Sequence, residues 1–158
     1  MATRVILPKV PVTADVNLFD GERVSGEFFV AAKSPVHGGE ETLLELLNDN
    51  ARSFVPFQTE HGLMLLNRAT VRSVQFDSPD LMSVFTSPDN DNIYGMTVYW
   101  RTETQTDAEV QGFCYTGALD EKGRRPVDLL NSPEMFLLLF SNDRMILFNK
   151  HAISHATV

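Results

Sequence analysis

A short pattern of residues occurs twice in this chain, and it limits the possible folds more than any other feature. Leu46-Leu47-Asn48 is followed by Phe54-Val55-Pro56-Phe57, then by Leu63-Met64-Leu65-Leu66-Asn67-Arg68. The layout returns as Leu129-Leu130-Asn131, Leu137-Leu138-Leu139-Phe140 and Met145-Ile146-Leu147-Phe148-Asn149-Lys150. Nine positions separate Asn48 from Phe57, and nine separate Asn131 from Phe140. Phe57 to Asn67 is ten and Phe140 to Asn149 nine, so the two turns between are expected to differ by one residue. Val71 and Ile153 each lie four positions beyond their Asn. The pattern implies one unit built twice, over 1–77 and 92–158, with a linker over 78–91. Units of roughly 70 residues bury a low fraction of their surface and are marginal alone. They must lean on each other or on another chain.

The elements within each unit read as short strands. Val12, Ala14, Val16 and Leu18 alternate with mostly polar neighbours, the period of a half-buried strand. Asp20-Gly21 supplies turn chemistry, and Val24–Val30 returns as the second strand. Gly26 inside that strand predicts a bend or a close backbone approach. Glu40–Leu47 is expected to form a short helix, with Leu43, Leu44 and Leu47 on one face. Phe54–Gln58 and Leu63–Arg68 form a hairpin, and Thr70–Phe76 is the last strand. Pro56 removes a ladder donor, which predicts an edge position or a bulge. Turn-rich stretches at Asp77–Asp80 and Ser87–Asn92 bracket a packed segment, Leu81–Phe85. The second unit opens with Ile93, Tyr94, Met96, Val98 and Trp100. Val110-Gln111-Gly112 then matches Val24-Ser25-Gly26, which places Cys114 opposite Phe28, and Pro126 begins a brief helix through Asn131.

Leu63–Leu66 and Met145–Phe148 are each apolar at four consecutive positions. A strand apolar on both faces must be covered on both. The cover is expected from the sister unit, the short helix or another chain. Leu65 and Leu147 are both expected in the core, each costing roughly 2–5 kcal/mol when cut to Ala.

The net charge of −8 is shared between the halves, which argues against a broad nucleic-acid face. One cysteine, Cys114, has no partner for an internal disulfide, which suits a reducing, cytoplasmic compartment. No apolar run approaches the roughly 18–20 residues that a spanning helix requires. The reading therefore expects no membrane association.

Val16-Asn17-Leu18-Phe19-Asp20-Gly21-Glu22-Arg23-Val24-Ser25-Gly26-Glu27 resembles the first motif of the Sm/LSm family, an apolar strand, an Asp-Gly turn and a glycine in a bent second strand. Leu65–Val74 is similar to the second motif, and Ile146–Ala156 repeats that layout. The resemblance implies a mainly β chain with short helices, folded as two tandem Sm-like five-stranded bent barrels, a pseudo-dimer. Family members associate edge to edge, and many bind RNA. The family's second motif carries Arg-Gly at its turn, whereas this chain has Asn67-Arg68 and Asn149-Lys150. A helix also interrupts each unit between its second and third strands.

The candidate nucleic-acid residues are thus Asn67, Arg68, Asn149 and Lys150, a cation for phosphate beside an Asn for a base edge. The bland alternative is an Asn suited to the turn and a solvated cation. Lys122-Gly123-Arg124-Arg125 is the one basic cluster, with Asp120 and Glu121 beside it. His37, His61, His151 and His155 lack metal-ligand spacing, and no nucleophile–base pair or phosphate loop can be argued. The chain is therefore expected to be a non-enzymatic interaction or assembly module with no cofactor and no metal. It is expected to bind a protein partner or a second copy of itself. RNA binding is the alternative, and the acidic charge weighs against it.

Overall fold

A computed structural model describes residues 9–32, 41–78, 85, 92–101, 107–116 and 125–158. The first half comprises β1 (Lys9–Leu18), β2 (Arg23–Ala31), α1 (Leu43–Asn48), β3 (Phe54–Thr59), β4 (Gly62–Asn67) and β5 (Val71–Phe76). The second comprises β6 (Ile93–Arg101), β7 (Asp107–Tyr115), α2 (Pro126–Leu130), β8 (Phe136–Ser141), β9 (Arg144–Asn149) and β10 (Ile153–Thr157). The chain is mainly β, and all its described strand pairs are antiparallel.

Local chemistry sets the first hairpin. Gly21 takes a φ of 89°, and the Asp20 carboxylate accepts from the Glu22 amide at 2.9 Å. The turn fixes Val16 opposite Val24, so Ala14, Val16, Phe28 and Val30 all face the core. Gly26 is required by a close approach: a Cβ there would collide with the Gln58 carbonyl and lie 2.9 Å from the Phe57 ring. Gly112 repeats this, with the Phe140 carbonyl 2.7 Å from the position of a Cβ. β2 pairs with β3 only at Glu27↔Gln58 and Phe28↔Phe57, so Pro56 lies just past the end of that ladder.

The first helix starts later than its acidic residues suggest. Glu41 is bound in extended form to Ala31, its amide donating to the Ala31 carbonyl at 2.9 Å. Thr42 then caps α1, accepting from the Glu45 amide at 3.1 Å while the Glu45 carboxylate reaches back to the Thr42 amide. Leu43, Leu46 and Leu47 are the residues it buries.

Of the expected two mainly β barrels, the fold shows the mainly β class. The described strands form a single ten-stranded sheet in the order β10-β6-β7-β8-β9-β5-β1-β2-β3-β4. The first half contributes 5-1-2-3-4 and the second 10-6-7-8-9, which is the same order position for position. The two runs meet where β5 pairs with β9. The segment assigned to the linker lies largely outside the described residues. Phe85 within it stacks on Phe140, ring centroids 5.4 Å apart.

The anticipated one-residue difference between the hairpin turns is absent. Thr59↔Gly62 and Ser141↔Arg144 close two turns of equal length, Glu60-His61 and Asn142-Asp143. Phe54 and Phe136 face Asn67 and Asn149 at the far ends, so equivalent positions differ by 82 throughout both hairpins. Buried Phe57 therefore corresponds to buried Leu139, not to Phe140. Matching Phe with Phe slipped the alignment by one residue, which turns every side chain to the opposite face.

Two apolar clusters follow from this sheet. The larger joins the first half's buried residues to Phe136, Met145 and Leu147 of the second. The smaller holds Met96, Val98, Cys114, Leu137, Leu139, Ile146 and Phe148. β9 thus alternates between clusters, Met145 and Leu147 into one, Ile146 and Phe148 into the other. That alternation explains its unbroken apolar run. Among the described residues no helix is long and apolar enough to cross a membrane.

Candidate interaction edge

The junction between the halves is a four-pair ladder, Ser73↔Phe148, Val74↔Leu147, Gln75↔Ile146 and Phe76↔Met145. Side chains extend it at both ends. The buried Asn149 amide donates to the Val71 carbonyl at 2.9 Å, while its Oδ1 accepts from the His151 amide at 2.9 Å. Asn48, at the end of α1, acts as a strand for β8: its Oδ1 accepts from the Phe136 amide at 2.8 Å, and its Nδ2 donates to the Phe136 carbonyl at 3.3 Å. At the far end Arg144 donates to Gln75 at 3.2 Å and faces Asp15 at 3.6 Å and Asp77 at 3.4 Å. Ser25 donates to Asp15 at 2.6 Å, and this bond, helped by Arg23 and Arg144, holds the Asp15 carboxyl below the usual range despite partial burial.

The same strands leave two open edges, β4 and β10, at the extremes of the sheet. β4 carries Leu63 and Leu65, exposed at 62% and 64%, and the neighbouring β3 carries Phe54 at 57%. Their counterparts at the junction, Met145, Leu147 and Phe136, are exposed at 1%, 0% and 3%. The expectation that Leu65 sits in the core like Leu147 is therefore corrected. Equivalent sequence positions differ because, among the described residues, only one has a strand beside it. Leu66, on the inward face of β4, is buried.

The four turn residues singled out as nucleic-acid candidates fall into two equivalent pairs. Asn67 and Asn149 each cap a 3₁₀ turn, the Asn67 Oδ1 accepting from the Ala69 amide at 3.0 Å. Arg68 is 5% exposed and donates through Nη1 to the Leu47 carbonyl at 2.6 Å, while its Nε has no partner among the described residues. Lys150 donates to the Leu129 carbonyl at 2.7 Å and to the Ser132 carbonyl and hydroxyl at 3.0 and 2.7 Å. Burial pushes the Lys150 ammonium down from its ordinary value, opposed by nearby Glu134. Arg68 thus satisfies a carbonyl at the end of α1, while Lys150 joins the Ser132 hydroxyl, at 2.8 Å, on the Leu129 carbonyl at the end of α2.

The remaining candidates stay apart. Arg125 pairs with Asp128 at 2.9 Å, and Lys122, Gly123 and Arg124 lie outside the described residues. His61 pairs with Glu60 at 3.3 Å, His155 stacks on Tyr99 at 4.4 Å, and His37 is outside the described residues. Among the described residues no group of three or more His, Cys, Asp or Glu is placed to hold a metal. Cys114 is buried, and burial raises its thiol pKa away from reactivity. Asn48 and Arg144 were not singled out as functional from the sequence. Asn48 stood inside the repeated Leu-Leu-Asn pattern, whereas Arg144 has Gly62 as its counterpart and left no signal. Comparison with protein-family models, curated proteins and solved structures finds no match to this chain.

Proposed function

We propose that this protein is a non-catalytic interaction and assembly module, built from two Sm-like barrels that share one sheet and dock partners on a sheet edge. The observation that carries the reading is the exposure of Leu63, Leu65 and Phe54 along β4 and its neighbour β3, at positions whose counterparts are fully covered at the junction. A long, flat, apolar edge left open is a template for another strand. Chains commonly blunt such edges with charge or proline, and β4 carries neither. Strand addition gives affinity through the ladder and selectivity through the alternate side chains.

The RNA-binding alternative rests on Asn67, Arg68, Asn149 and Lys150, and their geometry supports it less. Arg68 and Lys150 would have to release helix-end carbonyls before meeting a phosphate, and Asn149 is buried at the junction. The test is a photo-reactive side chain placed at position 65 in living cells. A discrete protein adduct that disappears with Leu63→Lys supports the docking edge, and absence of any adduct overturns it. A gel shift at low salt that fades steeply as salt rises would favour RNA instead.

A further inference from the structure

The duplication exposes an outlier on the outer face of the second half. In each half a groove opens beside the glycine of the second strand, about 790 Å³ in the first half and about 700 Å³ in the second. Its floor crosses the first three strands of the half. In the first half that floor is the row Thr13, Glu27 and Gln58, joined by the pairs Thr13↔Glu27 and Glu27↔Gln58. In the second it is Gly95, Phe113 and Phe140, joined by Gly95↔Phe113 and Phe113↔Phe140. Three polar side chains suit a solvated face. A bare glycine and two phenylalanines do not. Phe85 covers one side of Phe140, whereas Phe113 stays 50% exposed.

Gly95 has no cause within the described chain. Its φ is not positive, unlike those of Gly21 and Gly62, and no backbone crowds it, unlike Gly26 and Gly112. A Cβ built there meets nothing within 4 Å, so the ring of its cross-strand partner Phe113 does not fold over it either. Glycine inside a strand weakens it, and where the fold does not require it the residue marks the close approach of a ligand or another backbone. We propose that this groove binds a small aromatic amine, its ring lying on the bare backbone of Gly95 against the exposed ring of Phe113.

The polar groups around the slot select the amine. Thr97 lies two positions beyond Gly95, hence on the same face, and pairs across the ladder with Gln111. At the rim the Asn142-Asp143 turn brings in the Asp143 carboxylate, and among the described residues no lysine or arginine lines the groove. An ammonium group is favoured there by the carboxylate and by the ring face of Phe113. A ligand carboxylate would meet Asp143 unopposed. In the first half Thr13 fills the place of Gly95 and Glu27 that of Phe113, so the slot belongs to the second half alone. The site lies in the other half from β4 and goes beyond the docking-edge reading, which stands or falls without it.

The test titrates the full chain with tyramine and with 4-hydroxyphenylacetate, which has the same ring and a carboxylate in place of the amine, and follows backbone amide resonances by NMR. Tyramine is expected to shift the Gly95, Thr97 and Phe113 amides saturably, with the acid weaker by about tenfold or more, the worth of one charge-assisted hydrogen bond. Gly95→Thr restores the residue of the first half and is expected to keep or raise the melting temperature while the saturable shifts vanish. Asp143→Asn removes the charge with a residue that tolerates the same positive φ, and is expected to erase the preference for amine over acid. No saturable shift at these amides in the parent chain overturns the site, as does undiminished binding by Gly95→Thr. Equal binding of the two probes by the parent overturns the ligand class. A lower melting temperature for Gly95→Thr would give the glycine a role in the strand itself and remove the basis of the site.

Discussion

At the scale of single residues, two pairs of equivalent side chains do unequal work because their surroundings differ. Asn149 is sealed in the junction and satisfies the Val71 carbonyl, whereas Asn67 caps its turn on an open edge. Removing a buried partner leaves the other group unsatisfied at about 1–3 kcal/mol. Asn149→Ala is expected to lower stability by that amount in urea titrations, and Asn67→Ala by clearly less in the dilute protein; equal losses would contradict the difference in burial. Asp15 adds a pH dependence. Its folded pKa lies below the ordinary carboxylate value, first through Ser25 and then through Arg23 and Arg144. A depressed folded pKa contributes stability above the unfolded value, and that contribution is lost as pH falls through the folded one. Urea midpoints measured from neutral pH downward should fall on the acid side of the carboxylate range, and Asp15→Asn should flatten part of that fall. The side chain is partly exposed, so the change is modest.

At the scale of elements, the glycines show how sequence pattern becomes contact. Gly26 and Gly112 sit where the second strand of each half passes over the third, and a methyl group there meets a backbone carbonyl that has no room to move. Gly26→Ala and Gly112→Ala are each expected to cost about 1–3 kcal/mol by thermal melting. Gly95→Ala has open space around it and is expected to be near neutral. These close approaches were legible in the sequence, as was the Asp-Gly hairpin, because a glycine or turn dipeptide dictates local geometry by itself. The start of α1 was legible in principle: Thr42 and Glu45 have capping-box spacing, but the acidic run at Glu40-Glu41 drew the boundary outward. Strand exposure was not legible. Leu63–Leu66 and Met145–Phe148 read alike, and what separates them is that β5 lies alongside the second and no described strand lies on the outer side of the first. Such a non-local pairing leaves no trace in either strand. The same holds for the candidate cations. Their sequence position suggests an exposed turn, yet Arg68 and Lys150 fold back onto the ends of α1 and α2.

For the whole molecule, the shared sheet and shared apolar cluster predict that the halves unfold as one body. Leu147 belongs to the second half by sequence and to the first half's cluster by packing, beside Val16, Phe57 and Val74. Leu147→Ala should therefore cost roughly 2–5 kcal/mol, and the loss should appear in both halves at once. Trp100, the only tryptophan, packs against Phe148 in the second half and reports that region by fluorescence, while far-ultraviolet circular dichroism reports every strand. The two signals are expected to coincide in the parent and to shift together in Leu147→Ala. Leu65→Ala, at the equivalent position on the open edge, should change neither by more than about 0.5 kcal/mol while the protein is dilute. Fluorescence and dichroism transitions that part company would show the halves melting separately, and the junction would then be a contact between independent units.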